Sequence, residues 1–228
     1  MKNMNETDMN VHNNSDNLLI DYHPDLLTEW DYEKNKHADI DVNKITCKSN
    51  VKAYWKCCEY EHSFKMSIKD KINGKRCPYC SGRKLLIGFN DLQTKYPDLV
   101  ASEWDYENND CKPYDYTYKS TIKVSWRCNE CNGHYEMQIC FKVNGCGCPY
   151  CSGKRVLQGY NDLQSKYPEL VASEWDWIEN GRHHIKPDSI TTGSKTKAYW
   201  KCHTYNGSYR MAVYHKTGKT KRMPLLHW

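Results

Sequence analysis

The sequence predicts an α+β chain built from small tandem units, each a β-hairpin plus short helices, rather than one large globule. Three observations carry this. Apolar residues make up only 39% of 228 residues, whereas aromatics reach 13%, with 18 Tyr and 8 Trp against 3 Phe. A long segment recurs within the chain, and the 13 cysteines include pairs at a repeated spacing. Thin aliphatic content with many aromatics suits several small cores, and such cores need staples, either disulfide or metal. Thirteen is odd, so a fully paired intramolecular disulfide framework is excluded.

The repeat sets the organisation. Ser81 to Asn109 and Ser152 to Asn180 match at 19 of 29 positions, at an offset of 71 residues. A more divergent copy starts at Tyr22. Glu-Trp-Asp occurs at Trp30, Trp104 and Trp175, and a second Trp-x-Cys follows each at Trp55, Trp126 and Trp200. Pro24, Pro97 and Pro168 open short helices at the first turn, where a missing N–H costs nothing. Those helices carry Leu26, Leu99 and Leu170. Alternation over 52–56 and 122–127 predicts a strand, and 62–68 predicts its hairpin partner, with the cysteine at the turn. Asp91 and Asp162 read as caps of a further short helix. The expected layout is a disordered Asn-rich tail over 1–17, units at 18–88 and 89–159, and a degenerate third unit at 160–228.

Chemistry concentrates in the cysteines. Cys77-Pro78-Tyr79-Cys80 and Cys148-Pro149-Tyr150-Cys151 each present two thiolates from one turn, which suits tetrahedral zinc. Cys57 and Cys128 each lie 20 residues before their pair. In the first unit His62 is the natural fourth ligand, although Cys58 could stand in for Cys57. In the second, Cys131 is the choice and His134 the rival, with Cys146 a further competitor. The expected sites are therefore Cys57, His62, Cys77, Cys80 and Cys128, Cys131, Cys148, Cys151, giving two structural Zn2+ per chain. In the third unit the paired thiols become Met223 and Leu226, and Cys202 stands alone, so no zinc is expected there. A redox reading of the C-x2-C pairs lacks the βαβ pattern it needs.

The run Pro-Asp-Leu to Glu-Trp-Asp-Tyr-Glu-Lys-Asn over 24–35, Trp-Lys-Cys to His over 55–62, Cys-Pro-Tyr-Cys-Ser-Gly over 77–82 and Gly-Phe-Asn-Asp-Leu over 88–92 closely resembles the treble-clef zinc-ribbon repeat family. The resemblance covers 22–228, strongly in the first two units and partially in the third. It implies a zinc knuckle and hairpin, then a turn or helix carrying the second cysteine pair. Carried over residue by residue, it supports Cys57, His62, Cys77 and Cys80, and Cys128, Cys148 and Cys151. Members of that family are tandem arrays, some attached to nuclease-like domains.

Function classes follow from charge and pattern. No apolar stretch reaches about 18 residues, so a membrane span is excluded. The chain opens on Met-Lys and polar sequence without an apolar core segment, so an intracellular, reducing setting is expected. Formal net charge is +5, but bound thiols are deprotonated, and two such sites reduce it to about +2. What remains basic is local: Lys75-Arg76, Arg83-Lys84 and Lys154-Arg155 flank the second knuckles. These six residues, with Tyr79 and Tyr150 as stacking rings, form the expected contact with DNA or RNA. A protein-interaction array presenting the acidic Glu-Trp-Asp motifs is the alternative. A metal nuclease needs a general-base His beside a hydrated metal, and each His near a knuckle is either a ligand or unrepeated. No enzyme activity and no small-molecule substrate are expected.

Overall fold

The structure is a computed structural model that describes residues 17–202, 204 and 207–218. The chain divides into two compact units, Met1–Leu86 and Ile87–Trp228. The first holds one copy of the repeat and the second holds two.

Each copy contains one antiparallel hairpin. β1 (Lys52–Lys56) pairs with β2 (Ser63–Ser67), β3 (Lys123–Arg127) with β4 (His134–Gln138), and β5 (Lys197–Lys201) with β6 (Ser208–Ala212). Alternation decides which face is buried. Ala53, Trp55, Phe64 and Met66 point inward in the first copy, and Val124, Trp126 and Tyr135 in the second. A short helix follows each hairpin: Ile68–Ile72, Ile139–Val143 and Val213–Thr217.

Upstream of each hairpin the chain lays down a short helix, a proline-led turn and a tryptophan, and in the second and third copies an aspartate caps that helix. Asp91 and Asp162 accept hydrogen bonds from the backbone N–H groups of Thr94 and Ser165, starting helices Leu92–Lys95 and Leu163–Lys166. Pro97–Glu103 and Pro168–Glu174 are α-helical, while Pro24–Glu29 is a tighter 3-10 helix. Leu99 and Leu170 are only half-buried, and the next residue, Val100 or Val171, is fully buried.

The two tryptophans of each copy meet edge to face, with centroids 5.1 Å apart for Trp30–Trp55, 5.6 Å for Trp104–Trp126 and 5.3 Å for Trp175–Trp200. The second indole of each pair donates to the hairpin backbone at Met66, Met137 or Met211, each at 3.1 Å.

The Glu-Trp-Asp motif resolves into three internal jobs. The glutamate pairs with a lysine, buried in the first two copies and half-buried in the third: Glu29 with Lys71 and Glu103 with Lys142, both at 2.6 Å, and Glu174 with Lys216. The tryptophan fills the core. The aspartate is buried and fastens the start of the second strand, accepting from Ser63, His134 or Ser208. An asparagine then completes the unit. Asn35, Asn109 and Asn180 each exchange two hydrogen bonds with one strand residue, Tyr54, Ser125 or Tyr199, at 2.7–2.9 Å. That amide satisfies the edge of the hairpin as another strand would.

The copies differ between their tryptophans. Helices Tyr32–His37 and Trp177–Arg182 occupy that stretch in the first and third, ending on Asp39 (φ 55°) and His184 (φ 53°). The second copy is three residues shorter there, and a turn over 106–108 replaces the helix. The third copy forms its hairpin and tryptophan pair without the paired thiols. Met223 and Leu226, which replace them in sequence, lie outside the described residues, as does the tail over 1–16. Asn17, placed in that tail by sequence, accepts from Cys47 N–H at 2.7 Å.

Candidate metal centres

Two tetrads of metal-type side chains come together, one at each of the first two hairpin tips. Cys57, His62, Cys77 and Cys80 form one, and Cys128, Cys131, Cys148 and Cys151 the other, with the ligand atoms of each within 4.8 Å of one another. These are the eight residues the spacing singles out. Cys58 and Cys146, the sequence competitors, are exposed and stand outside both.

Local folding explains each half of a tetrad. The first cysteine ends a strand, and its N–H bonds across the hairpin tip: Cys57 to His62 O at 3.0 Å, Cys128 to Gly133 O at 3.1 Å. The Cys-Pro-Tyr-Cys segment is a turn, not a helix. Ser81 N–H reaches Cys77 O and Ser152 N–H reaches Cys148 O at 3.0 and 3.1 Å. The chain then leaves through left-handed glycines, Gly82 (φ 75°) and Gly153 (φ 70°), a conformation that favours glycine.

The fourth ligand differs between copies because the register differs from the sequence's first impression. His134 pairs with Arg127, the place where Ser63 pairs with Lys56. The true counterpart of His62 is Gly133. His134 therefore turns to the aspartate that Ser63 serves in the first copy: its Nδ1 lies 2.6 Å from Asp105 Oδ2 and 3.3 Å from Asn108 Nδ2. Cys131 supplies the ligand atom instead. In the first copy the His62 ring packs edge to face on Tyr79, with centroids 5.4 Å apart. In the second, Tyr150 fills that space and donates its hydroxyl to His134 O at 2.9 Å.

The donor sets fit zinc. Cys57 and Cys80 sulfurs are 3.4 Å apart, Cys128 and Cys151 3.6 Å, and Cys131 and Cys148 3.7 Å. A tetrahedral zinc–thiolate site has edges of about 3.8 Å. Burial pushes the Cys77, Cys80, Cys131 and Cys151 thiols up, so these sulfurs stay protonated unless a cation joins them. At Cys128 burial also acts upward, but the N–H groups of Cys131 and Glu130 outweigh it and hold the thiol down. Burial lowers His62, favouring the neutral ring that a metal needs. Four protein donors per site leave no open position for a substrate.

The residues expected to contact nucleic acid fare unevenly. Lys75 pairs with Asp70 at 2.8 Å. Arg83 donates to Arg76 O at 2.8 Å and to Ser81 Oγ at 3.0 Å. Arg155 lies over the Tyr150 ring at 5.3 Å. Arg76, Lys84 and Lys154 are exposed. Tyr150 is a core ring rather than a stacking platform, since its space at the tip is filled and its hydroxyl is spent. Sequence reasoning missed the asparagine clamps and the buried Glu–Lys pairs. The internal repeat held the signal, because Glu103 and Asn109 recur at Glu174 and Asn180 within the matched segment.

No helix among the described residues is long and apolar enough to cross a membrane. No curated protein matches the chain. A family described as "probable treble clef zinc finger domain" matches three regions, 26–83, 100–154 and 171–223. Together these span well over half of the chain, each running from the proline-led turn to the second knuckle or its equivalent. With one match on each tandem hairpin, and a Cys/His tetrad at the tips of the first two, the chain belongs to this family.

Proposed function

We propose that the chain is a non-enzymatic array holding two structural zinc ions and that it binds nucleic acid, DNA or RNA. The observation that carries the zinc reading is the closure of each tetrad by four protein donors. Cys57, His62, Cys77 and Cys80 would hold one ion, and Cys128, Cys131, Cys148 and Cys151 the other. A bound ion supplies a cross-link between hairpin tip and Cys-Pro-Tyr-Cys turn, where binding free energy is folding free energy. The third copy holds its tryptophan core by packing, the Asn180 clamp and the Glu174–Lys216 pair.

Support for nucleic acid over a protein partner comes from where the acids go. The Glu-Trp-Asp carboxylates, the best acidic surface a protein partner could read, are taken up inside each copy. Lys75, Arg76, Arg83, Lys84, Lys154 and Arg155 are all exposed near the second knuckles. Elemental analysis of the purified chain tests the metal reading: two zinc per chain is expected, and three or none overturns it. Electrophoretic shift with DNA and RNA at two salt concentrations tests the partner. A salt-sensitive shift is expected, and no shift at low salt sinks the nucleic-acid reading.

A further inference from the structure

The solvent faces of the first and third hairpins carry one pattern that the knuckles do not explain. Lys-Ala-Tyr-Trp-Lys forms both β1 and β5. Ala and Trp point into the cores, so packing accounts for them. Lys, Tyr and Lys point outward, where packing demands nothing of the kind. The partner strand adds a further cation opposite the tyrosine: Lys65 pairs with Tyr54, and Arg210 with Tyr199. Lys65 Nζ lies 5.0 Å from the Tyr54 ring centroid, and Arg210 Cζ lies 5.6 Å from that of Tyr199. Each face thus presents three cations around one aromatic ring. On the third copy His183 extends the platform, stacked on Tyr199 at 5.0 Å with an interplanar angle of 12°.

Among the described residues none of these six cations has a carboxylate within ion-pair distance. The buried Asp31 and Asp176 accept from Ser63 and Ser208 and feel Lys56 and Lys201 only through space, without a direct ion pair. Glu59 and Glu61 stand beyond the strands, at the tip of the first hairpin. The second hairpin breaks the pattern at its centre, with Ser125 for the tyrosine and Glu136 for the opposing cation.

Resting on the nucleic-acid reading above, we infer that the outer faces of β1–β2 and β5–β6 are the docking surfaces for single-stranded nucleic acid, and that the basic pairs at the knuckles are secondary. Charge complementarity selects a polyanion. The ring set among the cations selects one with planar groups along it, because single strands bind through phosphate contacts combined with base–aromatic contact. A duplex keeps its bases stacked inside and leaves that ring unused.

Fluorescence anisotropy of the zinc-loaded full chain with labelled oligo(dT) and oligo(U) tests this. Combining Lys52→Gln, Lys56→Gln, Lys65→Gln, Lys197→Gln, Lys201→Gln and Arg210→Gln should weaken binding at least about 100-fold and flatten its salt dependence. Tyr54→Ala with Tyr199→Ala should weaken it about tenfold with the salt slope kept. Zinc content reports folding and should be unchanged, because all six cations are exposed. Arg76→Gln with Lys154→Gln should cost under threefold. If the wild type binds and the six-fold variant matches it, the surface is wrong while the nucleic-acid reading survives. If the wild type binds no oligonucleotide at low salt, both fail. A duplex or polyglutamate that competes as well as the single strand overturns the assignment of the occupant.

Discussion

The carbon that Gly133 lacks would fall inside the space of Tyr150. A Cβ built there lies 2.7 Å from Cδ2 of Tyr150 and 2.9 Å from Cδ2 of Leu157. One volume at the hairpin tip is thus filled by a ligand histidine in the first copy and by a core tyrosine in the second. The choice of fourth ligand follows from that exchange. Gly133→Ala should therefore destabilise the second unit by about 1–3 kcal/mol through overpacking, although it touches no donor atom. Thermal unfolding of the zinc-loaded protein reads this, and an unchanged midpoint would contradict it.

The same exchange separates Cys131 from His134. Cys131→Ala should drop zinc from two per chain to one. His134→Ala should keep two, because its ring serves Asp105 and not the tetrad. Elemental analysis after gel filtration decides between them, and the reverse pattern would overturn the ligand set.

The asparagine clamp predicts a local effect in the third unit. Asn180 is fully buried, and its amide meets both Tyr199 O and Tyr199 N–H, at 2.7 and 2.9 Å. Asn180→Ala leaves the Tyr199 N–H unmet, at about 1–3 kcal/mol, while Tyr199 O keeps the Asp176 N–H at 3.2 Å. Hydrogen exchange at the Tyr199 amide should accelerate accordingly, while exchange at Ser125 stays as in the wild type.

Breaking a buried ion pair on one side should cost more than removing it. Lys142 is 6% exposed and pairs with Glu103 at 2.6 Å, and its ammonium also donates to Tyr135 Oη at 2.9 Å. Glu103→Gln alone should cost about 3–5 kcal/mol, because a charged ammonium is left buried. Adding Lys142→Met to Glu103→Gln should recover part of that loss. Chemical denaturation of the wild type and the two variants tests the order.

Acid sensitivity should reach the third copy through Asp176. The Ser208 hydroxyl holds this carboxyl below its usual range, burial opposes that, and the N–H groups of Glu179 and Ile178 add to the lowering. Its contribution is complete above the ordinary carboxylate value near 3.9. It is lost as pH falls from there through the lower folded value. Asp176→Asn should remove that part of the slope of stability against pH. Following the Trp200 indole signal during acid titration would show it, and identical slopes in the two proteins would refute it.

The metal donors were legible in the sequence because thiols at fixed spacing have few other uses in a chain with an odd cysteine count. The hairpins were legible because their inner faces alternate. The role of His134 was not, because histidine beside a knuckle looks like a ligand until hairpin register assigns it. The offset of 71 residues already matched it to Ser63 rather than His62. Asn35, Glu29 and Lys71 were hidden for another reason. Each is a polar residue type that usually faces water, and only the fold reveals that it is consumed internally.

Asn161 belongs to the third copy by sequence, yet its side chain finishes the second. The amide donates to Tyr150 O at 2.6 Å and Arg155 O at 2.8 Å, and accepts from Leu157 N–H at 2.7 Å. The neighbouring Tyr160 hydroxyl lies 3.7 Å from Cys151 Sγ. The last turn of the second repeat is thus tied off by the first residues of the third. Disorder at the second tetrad would therefore reach the third copy through Tyr160 and Asn161. A chain cut between the second and third frames severs this joint, whereas one that keeps both frames preserves it.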